Sequence, residues 1–193
     1  TFMVFLVVML LLVIVKIFPF TLEIMQMPNW CSNVTILSHP DKAKADALIE
    51  SLKNGVFFEF VLPLGEWEYE KACNTWGTKW EADGISWMRF TEDVDRIELN
   101  YETAWCPPQG ILEKLNADGW FVRSYYCEEG MGFIGKYETT TIGGENVLED
   151  ESYNFDDKIP EEFGNVFFWE DWHSDSFELK DGFYTQKESS DVD

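Results

Sequence analysis

The side chains with the most obvious capacity for recognition lie in Asn74-Thr75-Trp76-Gly77-Thr78-Lys79-Trp80, where two tryptophans straddle a glycine. Indole rings bring large apolar area and one N–H donor. A lysine beside them adds a charged contact, which is the composition of an interface hot spot. The same residues can instead pin a long connection onto a sheet, with Gly77 allowing the tight turn. Trp76, Lys79 and Trp80 are the candidate binding residues of this stretch, and Trp105 and Tyr126 are candidates for the same surface.

Acidic chemistry offers weaker patterns. Glu98, Asn100 and Glu102 alternate in a β-rich run, so they share a strand face, spaced by roughly 6.6–6.8 Å along it. Glu98 and Glu102 thereby form a candidate acidic surface that could imitate phosphates, although most such rows are only solvated. Glu128-Glu129 could serve acid–base work, but spacing alone does not identify such a pair. Asp171-Trp172-His173-Ser174-Asp175 holds metal-type ligands without a metal-type spacing and reads as an exposed tail segment. His39 reads as a surface turn residue. Cys31, Cys73, Cys106 and Cys127 stand alone, with none of the short pairings of zinc or iron–sulfur sites, and are expected as reduced, mostly buried thiols. The sequence has no glycine-rich phosphate loop and only two histidines, hence no plausible nucleophile–base pair. No catalytic residue, metal ligand or cofactor is assigned. An enzyme would need a pocket lined by groups such as Tyr126, Glu128 and Lys79.

Charge narrows the partners. The chain of 193 residues has 36 acidic and 14 basic side chains, for a net charge of −22. Residues 27–148 carry 20 acids and 10 bases, whereas residues 149–193 carry 15 and 3. A phosphate backbone is bound through clustered Lys and Arg, and no such cluster exists, so direct nucleic-acid binding is disfavoured. A basic protein or peptide is the easier partner.

The N-terminal 26 residues stand apart. Phe2 to Val15 is an uninterrupted apolar run followed by Lys16, Ile17, Phe18, Pro19 and Phe20. It is short of the ~20 residues of a spanning helix unless Lys16 snorkels. Met27-Pro28-Asn29-Trp30 resembles a true start, so upstream translation is favoured over a membrane anchor or signal segment for residues 1–26. The expected location is then the cytoplasm of the host cell, with anchoring through residues 1–26 as the alternative.

The elements that must position these groups follow in order. Asn33 to Leu37 alternates as a strand, and Asn33-Val34-Thr35 is a glycosylation sequon that matters only if the chain is secreted. Ser38 is placed to cap a helix opened by Pro40, with Asp41 as the capping-box partner and Ala45, Leu48, Ile49 and Leu52 as its apolar face. Val56 to Leu64 is a short strand or a plug, and Glu66 to Cys73 a helical turn or two. Ile85 to Phe90 and Arg96 to Trp105 are strands joined by a turn at Asp93-Val94-Asp95; the second places Ile97, Leu99, Tyr101, Thr103 and Trp105 on a dry face. Pro107 and Pro108 open a helix bearing Ile111, Leu112 and Leu115, and strands follow over 120–127 and 133–141. The plan is α+β: a ferredoxin-like, split βαβ antiparallel sheet with helices on one face, a Trp-rich insert after the first helix and an extra C-terminal strand. The domain spans residues 27–148. Residues 149–193 form an acidic, aromatic extension, in which Val166 to Trp169 could join or cover the sheet and the chain beyond Ser174 is loose.

Five segments occur in a family's order: Met27-Pro28-Asn29-Trp30-Cys31-Ser32-Asn33, Asn74 to Trp80, Thr103-Ala104-Trp105-Cys106-Pro107-Pro108, Glu128-Glu129-Gly130 and Phe133-Ile134-Gly135. Together they resemble the YubB-type ferredoxin-like domain of phage and plasmid proteins, over about residues 27–145. The resemblance implies a mobile-element accessory protein with that fold, and it brings no catalytic residues. The expected function is a non-enzymatic module that binds a host or phage protein. The alternatives are a DNA-mimic inhibitor of a host DNA-binding enzyme, an enzyme of unknown type and a virion component.

Overall fold

The alternation of Ile97, Leu99, Tyr101 and Thr103 with Glu98, Asn100 and Glu102 sets the architecture, because the four apolar-side residues are all buried. The computed structural model describes residues 29–91 and 95–187. The apolar segment 1–26, the start at Met27 and most of the turn at Asp93-Val94-Asp95 lie outside the described residues. In chain order the elements are β1 (Trp30–Ser38), α1 (Lys42–Lys53), α2 (Phe58–Val61), α3 (Tyr69–Trp76), β2 (Asp83–Phe90) and β3 (Arg96–Ala104). Then come α4 (Gln109–Ala117), β4 (Phe121–Glu128), β5 (Phe133–Ile142) and β6 (Glu145–Asn154). The chain continues with β7 (Ile159–Pro160), α5 (Glu161–Val166), α6 (Trp169–Trp172), β8 (Phe177–Lys180) and β9 (Phe183–Gln186).

Six strands form an antiparallel sheet in the order β2-β3-β1-β4-β5-β6. One face carries Cys31, Leu37, Ile97, Leu99, Tyr101, Val122, Tyr126 and Tyr137, packed in one core with residues of α1 to α4. Each large aliphatic or aromatic group taken out of water there contributes ~1.5–3 kcal/mol. Polar groups buried on this face pair with one another: the Thr35 hydroxyl lies 2.6 Å from Ser124 Oγ and 3.0 Å from the Tyr101 hydroxyl. Asn33 is also buried and donates to Thr103 Oγ1 at 2.8 Å, which leaves the sequon asparagine inaccessible in the folded chain.

Local chemistry corrects three expectations. Ser38 ends β1, and Asp41 caps α1 instead, accepting from the Ala43 amide at 2.9 Å. Pro40 therefore lies before the cap. His39 is buried, not a surface turn residue: its Nδ1 accepts from the Asp41 amide at 2.9 Å and its ring packs against Trp120 at 5.1 Å. The third concerns the far side of the sheet. A second core of Tyr125, Cys127, Ile134, Ile159, Phe163, Trp169, Phe177 and Tyr184 covers it across β4 and β5. The C-terminal segment builds this core with a small sheet of order β7-β9-β8; β8 and β9 give structure to the described part of the stretch after Ser174, against the expectation of a loose chain, and residues 188–193 lie outside the described residues. Lys136 on β5 anchors the segment through Glu162 on α5 at 2.7 Å. Strand β6 runs across the expected division at residue 148.

Candidate functional site

The site begins where α3 stops. Gly77 follows the helix in the left-handed region (φ 88°), and its amide bonds to Cys73 O at 3.1 Å. A side chain there would also meet the Gln109 amide at 2.9 Å. From Gly77 the chain runs beside the end of β3 and is latched to it. Thr78 Oγ1 donates to Ala104 O at 3.0 Å, and Cys106 Sγ donates to Gly77 O at 2.8 Å.

Ala104 O also accepts from the Cys106 amide at 3.0 Å, closing a three-residue turn whose central residue is Trp105. Trp105 has φ 68°, a conformation that side chains other than glycine adopt at a cost of ~1–3 kcal/mol. Its amide donates to Asn29 O at 2.9 Å. The strain is held by four hydrogen bonds around the turn, and it aims an indole at Lys79.

Lys79 Nζ lies 4.2 Å from the Trp80 ring centroid, 5.4 Å from that of Trp105 and 5.7 Å from that of Tyr69. These are cation–π separations. Trp67 Nε1 donates to the Lys79 carbonyl at 3.1 Å, and Trp30 packs against Trp80 with centroids 6.3 Å apart. Trp67 and Tyr69 are each 49% exposed and Trp30 is 40% exposed, so the group opens to solvent.

Beyond Trp30 the surface falls into an open cleft of about 640 Å³ lined by Asn29, Trp30, Ser32, Asp83, Glu102, Glu128, Glu129 and Gly130. Four elements build it: β1, the first residue of β2, the end of β3 and the β4–β5 turn. Glu128 is buried, with both oxygens engaged by that turn. It accepts from the Gly130 amide at 3.0 Å and from Met131 at 2.6 Å. Glu102 accepts from Ser32 Oγ at 2.9 Å. Burial raises its carboxyl above the usual range, and the charges of Asp83 and Glu129 add to the rise against the Ser32 bond. Glu129 is exposed and meets His173 Nε2 at 3.2 Å.

Lys79, Trp80 and Trp105 are thus brought together, and Glu102 faces the adjoining cleft. Trp76 is not part of this surface: it is buried against Phe58, with Nε1 donating to Leu62 O at 2.7 Å. Tyr126 is buried too, its hydroxyl 3.0 Å from Asp150 Oδ1. Burial first, then the Asp150 charge, raises its phenol well above the ordinary value. Glu98 sits further along β3 in an ion pair with Arg96 at 2.9 Å. Trp67, Tyr69 and Asp83 carry no signal in the sequence, whereas Trp30 lies in the Met27–Asn33 motif and Glu129 in Glu128-Glu129, noted there for acid–base work and not for this cleft.

The chemistry available is the binding of cations. Four carboxylates and an indole line the cleft, and rings surround an ammonium beside it. Among the described residues no group of three or more His, Cys, Asp or Glu is arranged to hold a metal ion. All four cysteines are free thiols; burial pushes Cys127 up to about 12 and Cys31 well above its ordinary value, which makes both poor nucleophiles at neutral pH.

The family model described as "Ferredoxin-like domain in Api92-like protein" matches residues 75–167. Over that range the chain is similar to a ferredoxin-like domain. The matched range takes in Lys79, Trp80, Trp105 and the carboxylates of the cleft, and it reaches past β6 into the C-terminal segment. Strand β1, with Trp30, lies before it although it is central to the same sheet. No curated protein and no solved structure matches the chain. Among the described residues no helix is long and apolar enough to cross a membrane.

Proposed function

We propose that the ferredoxin-like domain is a non-enzymatic binding module that takes a basic segment of a partner protein across the indole group and the acidic cleft. One observation carries the reading: Trp30 belongs to both, packing on Trp80 at 6.3 Å and lining the cleft. A segment lying over Trp30 meets aromatic area on one side and carboxylates on the other, the mixture that anchors interfaces. The net charge of −22 steers basic partners towards the chain.

Two finer readings accompany it. The order β2-β3-β1-β4, with α1 between β1 and β2 and α4 between β3 and β4, supports a split βαβ plan in which α2, α3 and the Trp76–Trp80 stretch are an insert. The YubB-type motifs support an accessory protein of a phage or plasmid, acting on a host or element-encoded partner in the host cytoplasm.

Fluorescence anisotropy with a labelled arginine-rich peptide tests the reading. Trp30→Ala, and separately Asp83→Asn with Glu102→Gln, should each weaken binding at least tenfold. Neutralising Glu149 and Glu178, two carboxylates remote from the site, should change it less than twofold. Equal losses from both carboxylate pairs would reduce the interaction to bulk charge and remove the proposal.

A further inference from the structure

Lys79 has an unusual environment for a lysine in a chain with 36 carboxylates. Among the described residues no carboxylate lies within 4.0 Å of its Nζ, and that nitrogen donates no hydrogen bond to a protein atom. Its neighbours are the three rings of Tyr69, Trp80 and Trp105. An unmodified ammonium is a poor match for such an enclosure. It has three N–H donors that want acceptors, it is strongly hydrated, and its long stem loses rotamer freedom when held. An alkylated ammonium has the same charge, fewer donors and a weaker claim on water, which is why aromatic enclosures select it.

The rings do not depend on the lysine for their positions. Trp105 is fixed by the strained turn between Ala104 and Cys106, and Trp80 packs on Trp30. Trp67 bonds to the backbone carbonyl of Lys79, not to its side chain. Thr78 and Cys106 hold the flanking backbone through Ala104 O and Gly77 O. The Lys79 stem can therefore swing out while the rings stay in place.

We propose that the space between Tyr69, Trp80 and Trp105 is a seat for an alkylated ammonium, as carried by a methylated lysine of a protein partner, and that Lys79 fills it in the unbound chain. The lysine is an internal competitor. It keeps the rings from closing on one another or adhering non-specifically, and it yields to a cation that fits better. This inference rests on the reading of this face as a surface for basic segments and narrows the segment to one bearing an alkylated lysine.

The probe is tetramethylammonium chloride, titrated at constant ionic strength against sodium chloride, with tryptophan fluorescence as readout and near-UV circular dichroism to follow the rings. Lys79→Ala should bind at least tenfold more tightly than the wild type, and adding Trp105→Ala should abolish saturation. A trimethyl-lysine peptide should bind the wild type more tightly than its unmethylated counterpart. Binding by Lys79→Ala no tighter than by the wild type overturns the proposal. So does an altered near-UV spectrum in Lys79→Ala, because the lysine is then a prop for the rings and not their occupant. If the seat is silent while the arginine-rich peptide still depends on Trp30, this inference fails and the surface reading stands. If the seat responds and that peptide does not depend on Trp30, the reverse holds.

Discussion

Two aromatic regions of this chain are equally rich in rings and behave in opposite ways. In the C-terminal segment Phe155, Phe163, Trp169, Phe177 and Tyr184 close on one another, with Trp169 4.6 Å from Phe177, 5.1 Å from Phe155 and 5.7 Å from Tyr184. Around Lys79 the rings gather about a cation and stay partly in solvent, Tyr69 more than Trp80 and Trp105. The difference lies in what each region faces. The C-terminal rings have an apolar sheet surface to cover, made of Tyr125, Cys127 and Ile134. The Lys79 rings overhang the end of the sheet, beside a cleft of carboxylates. Aromatic content therefore says nothing about recognition until the apposed surface is known.

The contrast breaks most sharply under truncation of one ring from each region. Trp169→Ala should destabilise the chain by about 3–5 kcal/mol, since its indole is almost wholly buried. Trp105→Gly should cost about 1 kcal/mol or less, because the lost packing is offset by relief of the left-handed backbone. Urea denaturation of both variants measures the comparison, and equal losses would mean that the Trp105 ring is core. A gentler test sharpens the acidic half of the site. The Glu102 carboxyl is raised in the folded chain, so the fold holds its proton more tightly than the unfolded chain does. Stability from this group is full at low pH, declines as pH rises from the ordinary carboxylate range through the raised value, and is flat above it. Glu102→Gln should remove that slope and leave the chain slightly more stable at neutral pH, as thermal unfolding between pH 4 and 7 (about the range over which carboxylates titrate) can detect.

Much of the sheet was legible because period-two alternation in β3 and the apolar stripe of α1 each point to one core. The site was legible only in part. Trp76 and Trp80 look alike in sequence, yet Trp76 falls one helical turn after the buried Ala72 on α3 and follows it inward. Trp80 lies beyond Gly77, outside that periodicity. Glu102 and Glu129 stand out in the sequence singly, but not the cleft they share, since Trp30, Asp83, Glu102 and Glu129 come from four separate elements and carry no shared spacing. His39 was misjudged because its burial is imposed by Trp120, some eighty residues away, as it sits against that ring at 5.1 Å. The C-terminal core hid for a related reason: its strands are two to four residues long, too short to show a period.

The second core also decides where the protein can be cut. A fragment stopping at residue 148 would sever β6 after four of its ten residues and bare the ring and thiol of Tyr125 and Cys127. One stopping at residue 167, where the family match ends, would still lack Trp169, Phe177 and Tyr184. The second core is complete only when the chain reaches Tyr184 on β9, so any cut before that residue exposes part of the sheet's far face.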